Sequence, residues 1–135
     1  PSNYSLGKLY SLNFYSTMHK LLSMDAVVVI QTTSPYFAPK SFWCINKTVK
    51  TSFSNTDAYH VYVPSFGEWG FTITSNNPSY DFNIVNRKVE NLRFYNYKYN
   101  SLNQFTSDMK ASNVEVNRLD NQILVRYFDE EWGKL

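Results

Sequence analysis

The pattern of apolar and polar positions predicts a regular first part and a less regular tail. From Ser11 onward, Phe14, Met18, Leu21 and Leu22 recur at i, i+4, i+7 and i+8. That spacing is one stripe of an amphipathic helix, and the Ser11 hydroxyl suits its N-cap. After the link Ser23-Met24-Asp25 comes Val27-Val28-Val29-Ile30, four β-branched residues in a row. Such a run predicts a strand buried on both faces, as in a parallel sheet. It stops at once in Gln31-Thr32-Thr33-Ser34-Pro35. Pro39 suits the first turn of a second helix, where its missing N–H costs nothing; Phe42, Ile45 and Val49 share a face through about Lys50. Tyr59 to Val63 and Trp69 to Thr74 alternate as strands around Pro64-Ser65-Phe66-Gly67. Trp69, Phe71 and Ile73 point one way, and Gly70, Thr72 and Thr74 the other. So short a turn makes the two strands antiparallel neighbours or near neighbours.

The segments between are punctuated by polar residues and breakers. Residues 1–8, 52–56 and 76–87 read as loops. Asn91 to Tyr99 reads as a short extended piece and Lys98 to Met109 as a poor helix. Asp120 is a candidate cap for a last helix to about Trp132, with Leu124, Phe128 and Trp132 on one stripe. Ile123, Val125 and Tyr127 also alternate, which is the strand alternative; the closing Asp-Glu-Glu favours the helix. The whole reads as one α/β domain, residues 1–76 forming a sheet-and-helix part and 77–135 a C-terminal extension.

Composition narrows the function classes. A net charge of +2 over 135 residues is too weak to imply nucleic acid or an anionic membrane. Arg93 to Lys98 mixes basic and aromatic residues, but two or three cations are too few for a nucleic-acid surface. The single cysteine, Cys44, agrees with a reducing cytoplasm. No apolar run approaches the ~20 residues of a membrane span. The chain has no Gly-x-Gly-x-x-Gly, and hence no phosphate-cradling loop of its own. His19 and His60 stand apart, so no metal site is expected. In open α/β sheets ligands bind at the carboxyl ends of the strands. That rule makes Gln31 the first candidate for a ligand contact.

Several pieces then coincide in order. They are Leu6-Gly-Lys-Leu-Tyr-Ser11 leading the first helix, Val-Val-Ile-Gln31 with Ser34-Pro35-Tyr36, and Tyr62-Val-Pro-Ser-Phe-Gly-Glu68-Trp-Gly-Phe71. Leu92-Arg-Phe-Tyr95 and Asn117-Arg-Leu-Asp-Asn-Gln-Ile-Leu-Val-Arg-Tyr-Phe128 follow. In this arrangement the chain resembles the carboxy-terminal part of spermidine synthases, the polyamine aminopropyltransferases. It is most similar to the bacterial branch whose full-length members carry membrane-spanning helices before the catalytic domain.

The resemblance implies the C-terminal half of a Rossmann-like class I S-adenosylmethionine methyltransferase fold. That is a mostly parallel sheet with an antiparallel hairpin, followed here by a short, mainly helical tail. It implies transfer of the aminopropyl group of decarboxylated S-adenosylmethionine to putrescine or a similar small polyamine, without a metal. Gln31 matches the family's amine-holding glutamine, and Thr32 and Thr33 replace the Gly-Glu that often follows it. Ser34 and Tyr36 fall at the pocket wall. Val63 to Glu68 matches the loop over the amine; Val63 stands where many relatives have Tyr, with Tyr62 or Glu68 as substitutes. The family's general-base Asp, in an Asp-x-x-Asp motif, would fall just before Pro1, and the glycine-rich cofactor loop further upstream. The chain therefore reads as a fragment, inactive alone, whose partner is a missing N-terminal half or another copy of itself. The alternative is a non-catalytic partner-binding or oligomerisation module of the same fold.

Overall fold

The computed structural model describes residues 3–83, 91, 93 and 102–133. The first eight residues are not a loop: Asn3 caps a one-turn helix, α1 (Tyr4–Gly7), its side chain accepting from the Leu6 N–H at 2.9 Å, and a 3-10 turn (Lys8–Tyr10) follows. Ser11 caps α2 (Leu12–Leu21), accepting from the Phe14 N–H at 3.3 Å. Next come β1 (Val27–Gln31), α3 (Pro39–Ser52) with Pro39 in its first turn, β2 (Asn55–Val63) and β3 (Gly67–Ser75). β2 begins inside the stretch expected as a polar loop. Within the weak-helix segment, Ser107–Met109 forms a 3-10 turn. The last element is a helix, α4 (Ile123–Trp132). Of the loop expected over 76–87, residues 84–87 lie outside the described residues, and so does the extended piece expected over Asn91 to Tyr99 apart from residues 91 and 93.

The strand order is β1-β3-β2, and both pairings are antiparallel. β1 and β2 therefore run parallel to one another with β3 between them, and α3 is the crossover that joins them. Double-sided burial of Val27 to Ile30 is not what the structure shows. β1 is an edge strand of the described sheet, and its residues alternate between exposed and half-buried, with Val27 40% and Val29 52% exposed. A β-branched run dictates extended backbone, but the number of covered faces depends on what packs there. The described residues cover one face only.

That face meets α3, the most deeply buried helix. Phe42, Cys44, Ile45, Asn46, Thr48 and Val49 are all buried. The sheet side of the contact is polar in composition yet dry. Thr72 and Thr74 are fully buried; the Asn46 side chain donates to Thr72 Oγ1 at 3.3 Å, and the Thr74 hydroxyl donates to the Asn55 carbonyl at 2.8 Å. Gly70 lies where a Cβ would press into the Phe42 ring and come within 2.8 Å of the Thr33 carbonyl, so only glycine allows α3 this close. On its other side α3 packs against α2 and α4. Tyr15, Cys44, Ile45, Val49, Phe53, Val114, Ile123 and Leu124 form one core, so the tail is built into the same interior as the first part.

Asn117 ties this core together. It is fully buried, and its Nδ2 donates to the carbonyls of Gly7 and Tyr10, both at 3.1 Å. Its Oδ1 accepts from the Leu124 N–H at 3.2 Å, and its own N–H donates to Thr48 Oγ1 at 2.9 Å. Asp120 does not cap α4. The work falls to Asn117 on Leu124 and to Asn121, whose Oδ1 accepts from Ile123 N–H at 3.2 Å, while Gln122 occupies the left-handed N-cap position. Asn117→Ala leaves two carbonyls and one N–H buried without partners, a cost of about 3–5 kcal/mol. Asn117→Asp keeps the shape and the acceptor but loses both donations and buries a charge. Urea unfolding should show it at least as destabilised as the alanine variant.

Candidate functional site

β1 ends at Gln31, whose Cα partner on β3 is Phe71. Beyond it the pairing continues through two backbone bonds, Thr32 N–H to Gly70 O at 2.9 Å and Gly70 N–H to Thr33 O at 2.8 Å. Thr33 reaches the second of these only by adopting φ +67°, a rare setting for a β-branched residue. The chain then turns away from the sheet, and a hollow opens at the strand's carboxyl end. This cavity, of about 320 Å³, is lined by Tyr10, Gln31, Thr33, Ile45, Trp69, Phe128 and Trp132. Gln31 also lines a second hollow of about 260 Å³, with Val63, Phe66, Trp69 and Phe71. Among the described residues, the Gln31 amide has no hydrogen-bond partner, so its oxygen and nitrogen are free at the junction of the two.

The rim is aromatic. The hairpin turn between β2 and β3 carries Ser65 at φ +77° and Gly67 at φ +74°, which brings Phe66 back over Trp69 with ring centroids 5.8 Å apart. Phe37 meets Tyr36 edge to face at 5.3 Å and Trp132 at a tilt at 6.2 Å, closing the side between the residue 33–38 loop and α4. Within α4, Phe128 and Trp132 lie 6.0 Å apart.

The five candidates do not converge on one spot. Gln31 lines the cavity; Tyr36 is exposed and is not among the lining residues, its ring meeting Phe37. Ser34 is fully buried, and its Oγ accepts from the N–H groups of Tyr36 and Phe37 at 3.3 and 3.2 Å. It shapes the loop rather than facing the hollow. Tyr62 and Glu68 are opposite each other in the β2–β3 ladder and alternate with Trp69 and Phe71, so they point to the other side of the sheet. There Glu68 Oε2 pairs with His60 Nδ1 at 2.7 Å, and His60 Nε2 meets the Gln104 carbonyl at 2.7 Å.

Phe128, Trp132 and Tyr10 are cavity residues that sequence reading did not assign. The i, i+4 spacing of the first two marks a helix stripe, but spacing does not say what the stripe covers. Their helix is held by a long-range contact. Ala38, the N-cap of α3, has no side-chain oxygen to cap with; Glu131 of α4 does so instead. Its Oε1 accepts from Lys40 N–H at 2.7 Å, and its Oε2 from Ser41 N–H at 3.0 Å and Ser41 Oγ at 2.7 Å. A carboxylate on the first-turn amides also faces the positive end of the helix dipole. Lys40 adds an exposed ion pair with Glu130 at 3.0 Å, and that carboxylate raises the lysine's pKa.

An open sheet backed by helices, with a pocket past a strand's carboxyl end, is the arrangement of Rossmann-like ligand-binding folds. The chain belongs to the spermine/spermidine synthase domain family, which it matches over residues 2–87. Its fold is similar to that of spermidine synthase from Thermotoga maritima, at TM-score 0.50 and 17% identity, covering 94% of this chain and 40% of that one. A spermidine synthase in complex with the transition-state analogue AdoDATO gives the same TM-score, 0.50, at 18% identity and the same coverage. The polyamine aminopropyltransferase of Leptospira interrogans is 45% identical over 136 residues, covering 100% of this chain and 27% of that protein. Polyamine aminopropyltransferase 2 of Ralstonia nicotianae is 45% identical over 133 residues, covering 98% and 26%. The chain thus spans about a quarter of the length of these curated relatives.

Among the described residues no helix is long and apolar enough to cross a membrane, and no three His, Cys, Asp or Glu side chains gather as metal ligands. Cys44 is buried, and burial pushes its thiol up to about 12. The thiolate is the reactive form, so Cys44 should resist iodoacetamide in the native protein at roughly pH 8. Mass spectrometry should find it alkylated only after denaturation; rapid native labelling would contradict this packing.

Proposed function

We propose that this chain is part of an aminopropyltransferase and supplies one wall of its amine site. The reaction moves the aminopropyl group of decarboxylated S-adenosylmethionine to putrescine, giving spermidine. An amine nitrogen attacks the carbon next to the sulfonium, the C–S bond breaks, methylthioadenosine leaves, and the attacking nitrogen gives up a proton. The observation that carries this reading is the placement of Gln31. Its amide, without a hydrogen-bond partner among the described residues, sits at the carboxyl end of β1 and lines a hollow with Val63 and Phe66 of the hairpin, which supports reading it as the family's amine-holding glutamine.

On this reading the Gln31 oxygen accepts from the amine and so orients it, while Tyr36 borders the entrance. Ser34 acts by holding the 34–38 loop, and Tyr62 and Glu68 act only through the hairpin they brace. The donor site and the proton-accepting carboxylate are assigned to no residue of this chain. The outer edge of β1, unpaired among the described residues, is where a further strand would complete the sheet.

Two measurements on the full-length protein test this. First, it should form spermidine from decarboxylated S-adenosylmethionine and putrescine; no product would sink the proposal. Second, Gln31→Ala removes a hydrogen bond to a charged group, ~1.5–3 kcal/mol. It should raise the KM for putrescine about 10- to 100-fold, with the donor's KM unchanged.

A further inference from the structure

The family match ends at residue 87, yet one side of the cavity is built from α4. Phe128 and Trp132 line it together with Gln31 and Trp69. Among the described residues the lining of this wall is mostly aromatic and carries no acidic side chain, so what it offers a dication on the reading above is something other than a carboxylate. An alkylammonium taken out of water needs a compensating partner. Two features offer one. Ammonium groups are attracted to the faces of Trp and Phe rings within about 6 Å of the ring centre. Trp132 also stands in the last turn of α4, where unpaired carbonyls carry the negative end of the helix dipole.

The Trp132 ring is placed by its neighbours. Among the described residues its buried indole N–H has no acceptor, so none of their hydrogen bonds steers it. Phe37 and Phe128 pack around it at 6.2 and 6.0 Å, and the adjacent Glu131 fastens this turn to α3 through three hydrogen bonds.

We propose that α4 provides the subsite for the ammonium at the far end of the amine substrate. Phe128 and Trp132, with Trp69 in the same cavity, hold that group by their ring faces. Glu131 is a positioning residue: it touches no substrate but fixes the turn that carries Trp132. The inference rests on the amine-site reading and extends it to residues 128–132.

The test compares putrescine with butylamine, which keeps the reacting nitrogen and lacks the distal ammonium. In the full-length protein, Trp132→Leu should lower the putrescine-to-butylamine ratio of kcat/KM about tenfold, with the donor's KM unchanged. Trp132→Phe should keep most of the preference. Glu131→Gln should shift the ratio in the same direction by a smaller factor, a change that general loss of stability would not produce. As a measurement needing no variant of the wall, wild-type protein labelled with 5-fluorotryptophan should show the Trp132 fluorine resonance moving as putrescine is added. An unchanged ratio in folded Trp132→Leu, or a Trp132 resonance unmoved at saturating putrescine, would overturn the proposal. If Trp132→Leu does not fold, the resonance decides. A wild-type protein that makes no spermidine defeats the transferase reading itself; one that makes it with an unaltered ratio defeats only the α4 subsite.

Discussion

Both walls of the cavity hang on one buried amide. Asn117 donates to the backbone on either side of the 3-10 turn that ends in Tyr10, and accepts from the first turn of the helix that carries Phe128 and Trp132. Its own N–H reaches Thr48 in α3. An amide suits this place because it offers two donors and an acceptor on one short side chain, without a charge to desolvate. Apolar packing alone would bring the three segments together, but it is non-directional. The hydrogen-bond geometry of Asn117 sets their relative depth, and with it the width of the hollow between Tyr10 and Phe128.

The sheet divides its labour in an unusual way. The face of β3 turned to α3 carries Gly70, Thr72 and Thr74, while Trp69, Phe71 and Ile73 take the more open side. Small residues let the helix sit low on the strands, and the threonine hydroxyls find partners in Asn46, Asn55 and Thr56. The large aromatics are thereby left for the side that borders solvent and the two hollows. Tyr59 stacks on Phe71 there, with centroids 5.2 Å apart.

Local signals in the sequence were legible where one residue decides the outcome. Ser11 caps α2, Pro39 opens α3, and Pro64 to Gly67 turns the hairpin, each from chemistry within a few residues. Gln31 was legible as a strand-end amide because a β-branched run has an unmistakable stop. What escaped was everything settled at long range. The coverage of β1 depends on which partners reach it, so four β-branched residues could not announce an edge. Asp120 had the right chemistry for a cap, but Asn117 and Asn121 had the right geometry. Glu68 was one of two substitutes offered for the family's pocket Tyr, but His60, eight residues earlier on the neighbouring strand, holds it on the opposite side. Nothing in the local sequence tied Glu131 to Lys40 and Ser41, about ninety positions away.

That last contact has a consequence for the order of assembly. α3 is central to the interior, yet it begins with a residue that offers its amides nothing, and the carboxylate they need is made only after some ninety further residues. A nascent chain therefore carries α3 with a frayed start until α4 arrives, and closing so long a loop is slow relative to local turns. The pocket is for that reason among the last features to take shape. Its maturity reports that the far end of this segment has docked.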